Sequence, residues 1–157
     1  MIINLYQFTA TNSVERDEVW DIIKIWILKH PNMKVILIGD FKCAPEGERK
    51  GYSLPLSDSI RKADKSLLDF CLETGGDLVP ARHHSWIRGK QSAMLDNAIT
   101  WNYHLSHPKI SPFAARHKNY DHGVLSLALP AEDFIATYKV PKRNFHIPSD
   151  RVDVVFF

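Results

Sequence analysis

The spacing of hydrophobic positions changes several times along this chain. Ile2-Ile3-Asn4-Leu5-Tyr6-Gln7-Phe8 reads as a strand. Val19, Ile22, Ile23, Trp26 and Ile27 then fall at helical spacing and predict an amphipathic helix with a broad apolar stripe. Asn12, with Glu15 three residues on, predicts a capping pair at its start, and Pro31 predicts its stop. The nearly all-apolar run Lys34 to Ile38 has the pattern of a strand covered on both faces, closed by Gly39-Asp40. Pro45 to Ser57, rich in Gly, Pro and charge, reads as a loop. A second helix is predicted over Ser59 to Thr74, with Leu67, Leu68, Cys71 and Leu72 inward and Gly75-Gly76 as its stop.

Beyond Gly76 the apolar runs are short. Leu78-Val79, Ser85-Trp86-Ile87, Ala93 to Thr100, Phe113 to Ala115 and Gly123 to Leu129 read as strands. Few helical spacers separate them, which predicts a mixed or antiparallel sheet rather than an all-parallel one. The fold class expected is α/β (α+β), with one domain over residues 1–130. Residues 131–157, with Pro141, Pro148 and mixed charge, read as a linker-like tail that turns apolar again from Val152.

Composition narrows this little further. At 157 residues, 45% of them hydrophobic and 11% aromatic, the chain can build a core, which excludes wholesale disorder. A net charge of +2 gives no argument for nucleic acid, yet a local basic strip could still bind it. Cys43 and Cys71 form neither a C-x-x-C nor a secreted-type framework and read as free thiols of an intracellular protein, nuclear or cytoplasmic. No apolar run reaches the length of a membrane span, and the opening residues lack a basic segment of secretory type.

Three acids stand where chemistry could use them. Asp40 follows a glycine at a strand end, a position that serves a metal or a water as well as an ordinary turn. Asp96 interrupts the apolar Met94-Leu95 and Ala98-Ile99. It is either a buried, partnered carboxylate or the solvent side of an alternating strand. Asp121-His122 puts a carboxylate beside an imidazole, the pair that covers metal ligation and proton transfer near neutral pH. Adjacent strand residues face opposite ways, so the two can share a site only from an irregular segment. His83-His84, His104 and His107 lack structural-zinc spacing. Arg82, His83, His84, Trp86, Arg88 and Lys90 mix bases with aromatics, which suits either a nucleic-acid surface or a solvated loop.

The series Asn4-Leu5-Tyr6, Gly39-Asp40-Phe41, Leu95-Asp96 and Asp121-His122 resembles the endonuclease/exonuclease/phosphatase superfamily, which includes apurinic/apyrimidinic endonucleases and retroelement endonuclease domains. The likeness covers residues 2–129 in the family's order. It implies part of a four-layer α/β/β/α sandwich with the amino-terminal half missing. It also implies a magnesium- or manganese-dependent phosphodiesterase, most similar to a retroelement-type DNA endonuclease.

By the same likeness Asp40 aligns the attacking water, Asp96 orients His122, and His122 contacts the phosphate or moves a proton. Tyr6 contacts the phosphate and Asp121 belongs to the metal site. Lys42 stands where the family carries Asn, and Lys42 and Arg88 are the expected substrate contacts. Lysine there serves as a point charge on phosphate or as a competitor of the metal. The family's metal-binding Glu precedes the part that this chain matches. The expectation is therefore impaired activity for the isolated chain, or a non-catalytic relic or binding module. A phosphatase of the same superfamily is a further alternative. DNA is the expected partner, membranes are not, and a half-sandwich is expected to self-associate through an exposed sheet face.

Overall fold

The computed structural model describes residues 1–7, 13–79, 83–105, 109–111 and 121–129. Asn12, Phe113 to Ala115 and the tail from Ala131 lie outside them. The fold is α+β. Strand β1 (Ile2–Tyr6) leads to helix α1 (Ser13–Lys29), then β2 (Val35–Asp40) and the two-residue β3 (Arg49–Lys50). Helix α2 (Asp58–Thr74) is followed by β4 (Asp77–Val79), β5 (Trp86–Arg88), β6 (Gln91–Ala93), β7 (Asp96–Trp101), β8 (Lys109–Ser111) and β9 (Val124–Ser126).

The main sheet is mixed, in the order β1-β2-β7-β4. β1 and β2 run parallel, joined by α1, and β7 is antiparallel to both β2 and β4. A smaller sheet of order β3-β6-β5 and the pair β8-β9 complete the strands among the described residues.

Register separates the two faces of the main sheet. Leu37 pairs with Ile3 and Ile99, and Val35 with Trp101. These side chains share a face with one another and form a core with Trp20, Ile23 and Ile27 of α1 and Ala63, Leu67, Phe70 and Cys71 of α2. Both helices therefore cover one face. Trp20 anchors that layer, its ring 4.4 Å from Phe70 and edge-on to Phe41 at 5.6 Å. Each such side chain, fully buried, contributes about 1.5–3 kcal/mol of transfer free energy.

Helix α2 starts where the Ser57 hydroxyl accepts the Ile60 amide and stops at Gly75, a left-handed residue with φ of 66°. Its inward residues are Ala63, Leu67, Phe70, Cys71 and Thr74, whereas Leu68 and Leu72 are exposed. Each stands one residue, about 100° of turn, past an inward neighbour, and that rotation carries it off the stripe. Ile22 of α1 is exposed for the same reason, beside the buried Ile23.

The single strand expected from Ala93 to Thr100 is two strands belonging to different sheets. The buried Ser85 hydroxyl accepts the amides of both Leu95 and Asp96 at the crossing. The buried Asn97 side chain donates to the carbonyls of Met94 and Cys43, fixing the same bend. The loop from Pro45 to Ser57 likewise holds a short strand, β3, paired with β6. No helix among the described residues is long and apolar enough to cross a membrane.

Candidate active site

Gly39 and Asp40 end β2 in a way only glycine permits. Gly39 has φ of 145°, and a Cβ there would lie 2.0 Å from the Leu5 carbonyl oxygen of the neighbouring strand. The strands can close at this end because that carbon is missing. One residue on, Tyr6 pairs with Asp40 and Asp40 pairs with Asp96. Side chains at paired positions stand on one face. The three residues thus form a row across β1, β2 and β7, on the face away from the helices.

His122 joins the row from a distant segment. Trp86 and His122 form an isolated antiparallel bridge, the Ile87 amide donates to the Asp121 carbonyl, and the Gly123 amide donates to the Ser85 carbonyl. Ser85 therefore acts twice: its hydroxyl fixes the amides at the start of β7, and its carbonyl holds the segment that carries His122. His122 Nδ1 lies 2.8 Å from Asp96 Oδ2. His122 Nε2 lies 3.6 Å from Asp40 Oδ2. Among the described residues, Asp40, Asp96 and His122 each offer one ligating atom within 4.8 Å of the others.

Lys42 completes the cluster from within the turn. Its backbone is left-handed, φ 54°, a conformation that costs a non-glycine residue about 1–2 kcal/mol. Its amide donates to Asp40 Oδ1 at 3.1 Å, and its ammonium meets Asp40 Oδ2. The ammonium also lies 4.8 Å from the centre of the Tyr6 ring. One carboxylate oxygen of Asp40 therefore faces both Lys42 and His122.

The electrostatics follow from burial and these contacts. Burial pushes the Asp40 carboxyl above the ordinary carboxylate value, more than the Lys42 contact pulls it down. Lys42 is opposed by its own burial, yet the Asp40 contact wins and holds the ammonium above its ordinary value. The hydrogen bond to Asp96 raises His122 above the ordinary histidine value, with burial acting against it. The neighbouring thiol of Cys43 is pushed up to about 12 by burial, which leaves it an inert apolar group here.

Asp121 and Arg88 stand apart from this row. The Asp121 carboxylate accepts the Trp86 indole N–H at 2.9 Å, while its neighbour His122 turns to Asp96. In the bridged segment the two side chains leave on different sides, as adjacent extended residues do. Partial desolvation works against the Asp121 charge, but the Trp86 bond leads the contacts that hold its carboxyl below the ordinary value, with Arg88 a lesser contributor. Arg88 itself is exposed at the end of β5. The sequence pattern gave no weight to Ser85 or Asn97. The one signal for both is a small polar residue inside an otherwise apolar, strand-like stretch.

The donor set of two carboxylates and an imidazole fits a divalent cation of the magnesium or manganese kind, with manganese the more tolerant of nitrogen. The fit is contested at one atom, Asp40 Oδ2, where the protein supplies its own cation. Neither protein-family models nor curated proteins give a match to this chain.

Proposed function

We propose that the row Tyr6, Asp40, Asp96 and His122 is the phosphate-handling part of a phosphodiesterase site, of the kind found in retroelement DNA endonucleases. The observation that carries this reading is the Asp96–His122 contact of 2.8 Å, with the far nitrogen of His122 directed at Asp40. Asp96 holds the imidazole in one orientation and favours the tautomer that donates from Nδ1. In the imidazolium form, which the Asp96 contact also favours, His122 Nε2 carries a proton that it can give to a phosphate oxygen or to a leaving group. Asp40 stands on the other side of Nε2, where it can orient a water for in-line attack. Tyr6, 79% exposed and next to the Lys42 ammonium, forms the open wall against which a phosphate would rest.

A magnesium or manganese ion held by the Asp40 and Asp96 carboxylates, with His122 Nε2 left to the proton, would supply positive charge to the phosphate oxygens. Asp121, tied to Trp86, serves in this reading as a support for that indole rather than as a donor to the cation. A second sheet facing the row would complete the four-layer sandwich that the sequence resemblance implies. Duplex DNA suits the reading because the exposed Arg88 and the β5–β6 hairpin lie beside the segment that delivers His122.

The test is nicking of supercoiled plasmid by the full chain with magnesium or manganese. Asp96→Asn and His122→Ala each remove one member of the proton-handling pair and should lower nicking at least about 100-fold. Nicking unchanged by both substitutions would overturn the assignment. A second reading, a non-catalytic binding module, draws its support from the Lys42–Asp40 contact, which neutralises the very carboxylate that hydrolysis needs. Plasmid binding by the wild-type chain without nicking, weakened by Lys42→Met, would favour it. A phosphatase of the same superfamily would hydrolyse a small phosphomonoester in preference to plasmid.

A further inference from the structure

Asp40 has two nitrogen neighbours on a single oxygen. The Lys42 ammonium and His122 Nε2 both address Oδ2, while Oδ1 takes the Lys42 amide. Asp96 Oδ2 is bonded to His122 Nδ1. The three donor groups are thus gathered closely enough for one ion, yet the Asp40 charge is already met from inside the chain by the Lys42 ammonium.

Lys42 is held in this place by more than one contact. Its left-handed backbone turns the side chain back over its own strand end, and the Tyr6 ring lies beneath the ammonium. Its side chain is only 17% exposed, against 8% for Asp40. A floppy surface lysine would adopt neither the strained backbone nor the shielded position. The charge is also chemically apt: an ammonium is a compact point charge that takes the position beside a carboxylate oxygen that a metal ion would take.

We infer that Lys42 is a tethered counter-cation that sets the cation preference of the Asp40–Asp96–His122 cluster, admitting divalent ions only when its ammonium swings out. This rests on reading the cluster as a cation-dependent phosphodiesterase site. A divalent ion entering while the ammonium stays would meet a like charge a few ångström away in a half-buried site, where repulsion is weakly screened. An ion that displaces the ammonium must instead break its contacts with Asp40 and Tyr6. Either route weakens the wild-type affinity, and the site without the lysine charge should be the tighter one.

The experiment is titration of manganese ion into the full chain, followed by the loss of its free-ion electron paramagnetic resonance signal. Wild type, Lys42→Met and Lys42→Asn are compared, with circular dichroism as the check on folding. Met keeps the length of the side chain without its charge. Asn suits the left-handed backbone, so it decides the matter should Met fail to fold. Both substitutions should bind manganese at least about tenfold more tightly than wild type. Adding Asp96→Asn to either should remove that gain.

Equal affinity in all three chains would overturn the inference and leave the phosphodiesterase reading standing, because the lysine would then be no competitor. If none of the three bound manganese better than an Asp40→Asn/Asp96→Asn chain, the inference would fall together with the cation-dependent part of that reading. A gain that survived Asp96→Asn would also overturn the inference, since the ion would then be bound elsewhere.

Discussion

Arg49 meets Asp64 in one manner and Lys42 meets Asp40 in another. Both pairs are largely shielded from water. The Arg49 guanidinium grips Asp64 with two parallel bonds, Nε to Oδ2 at 2.7 Å and Nη2 to Oδ1 at 2.6 Å. The Ala44 amide donates to the same carboxylate at 2.8 Å, and the Tyr52 ring lies 5.5 Å from the guanidinium. That pair ties the loop after β2 to the flank of α2, with both carboxylate oxygens satisfied. Asp40 has instead one oxygen shared by an ammonium and an imidazole, the ammonium on a strained backbone. A fork-shaped cation fitted to a carboxylate makes a latch. A point charge sharing an oxygen with an imidazole makes a contact that another ligand can contest.

The largest expected effect tests the latch. Arg49→Met leaves Asp64 shielded and unmatched and should lower stability by about 3 kcal/mol in urea unfolding. The double substitution Arg49→Met/Asp64→Leu should recover most of that loss, because it removes both charges together. If the single substitution cost under about 1 kcal/mol, the pair would be a surface-like contact and the contrast would fail.

A smaller loss is expected at the contested pair. Lys42→Met should cost about 1 kcal/mol, since His122 Nε2 and the residue 42 amide still face Asp40. A cost matching that of Arg49→Met in the same urea experiment would make Lys42 a structural latch too.

The smallest effect is one of pH. Asp96 raises His122 above its unfolded value, so their interaction is fully present below the ordinary histidine value of about 6.5 and is lost as pH rises through the raised folded value. The stability difference between wild type and His122→Gln should therefore be greatest in mild acid, about 0.5 kcal/mol, and shrink as pH rises. The groups facing this imidazole are Asp96, Asp40 and Lys42. The cost of Arg49→Met should stay level over the same interval, having no histidine in it. A His122 difference that grew with pH would reverse the assigned sign.

How much of this was legible in the residues alone depended on the distance over which each feature is decided. The two helices and the strand ending at Asp40 are local patterns, and their places were readable from Val19 to Ile27, Lys34 to Ile38 and Leu67 to Cys71. The exposed Leu68, Leu72 and Ile22 were not, because apolar residues beside a stripe carry the same signal as those within it. The break at Met94-Leu95 was hidden because the partner that makes it, the Ser85 hydroxyl, lies ten residues back along the chain, just before a strand of another sheet. The meeting of Asp40, Asp96 and His122 is set by ladder register, which no local pattern encodes. Asp121 is conspicuous beside His122 in sequence, and its carboxylate accepts the Trp86 indole N–H, a contact that no local pattern encodes.

The route by which His122 reaches Asp96 has a kinetic meaning. The ladder between β2 and β7 joins segments separated by α2 and the whole small sheet, and the His122 segment docks onto Ser85, Trp86 and Ile87 at the edge of that sheet. Closures of this length cost chain entropy before any contact repays it. The helices and the β1-α1-β2 unit, built from local contacts, are expected to form early, and the histidine segment to dock after the rate-limiting barrier. Substitutions at His122 should then speed unfolding and leave the folding limb of a chevron almost untouched, so the half-life of the assembled site is set by how fast one short segment lets go.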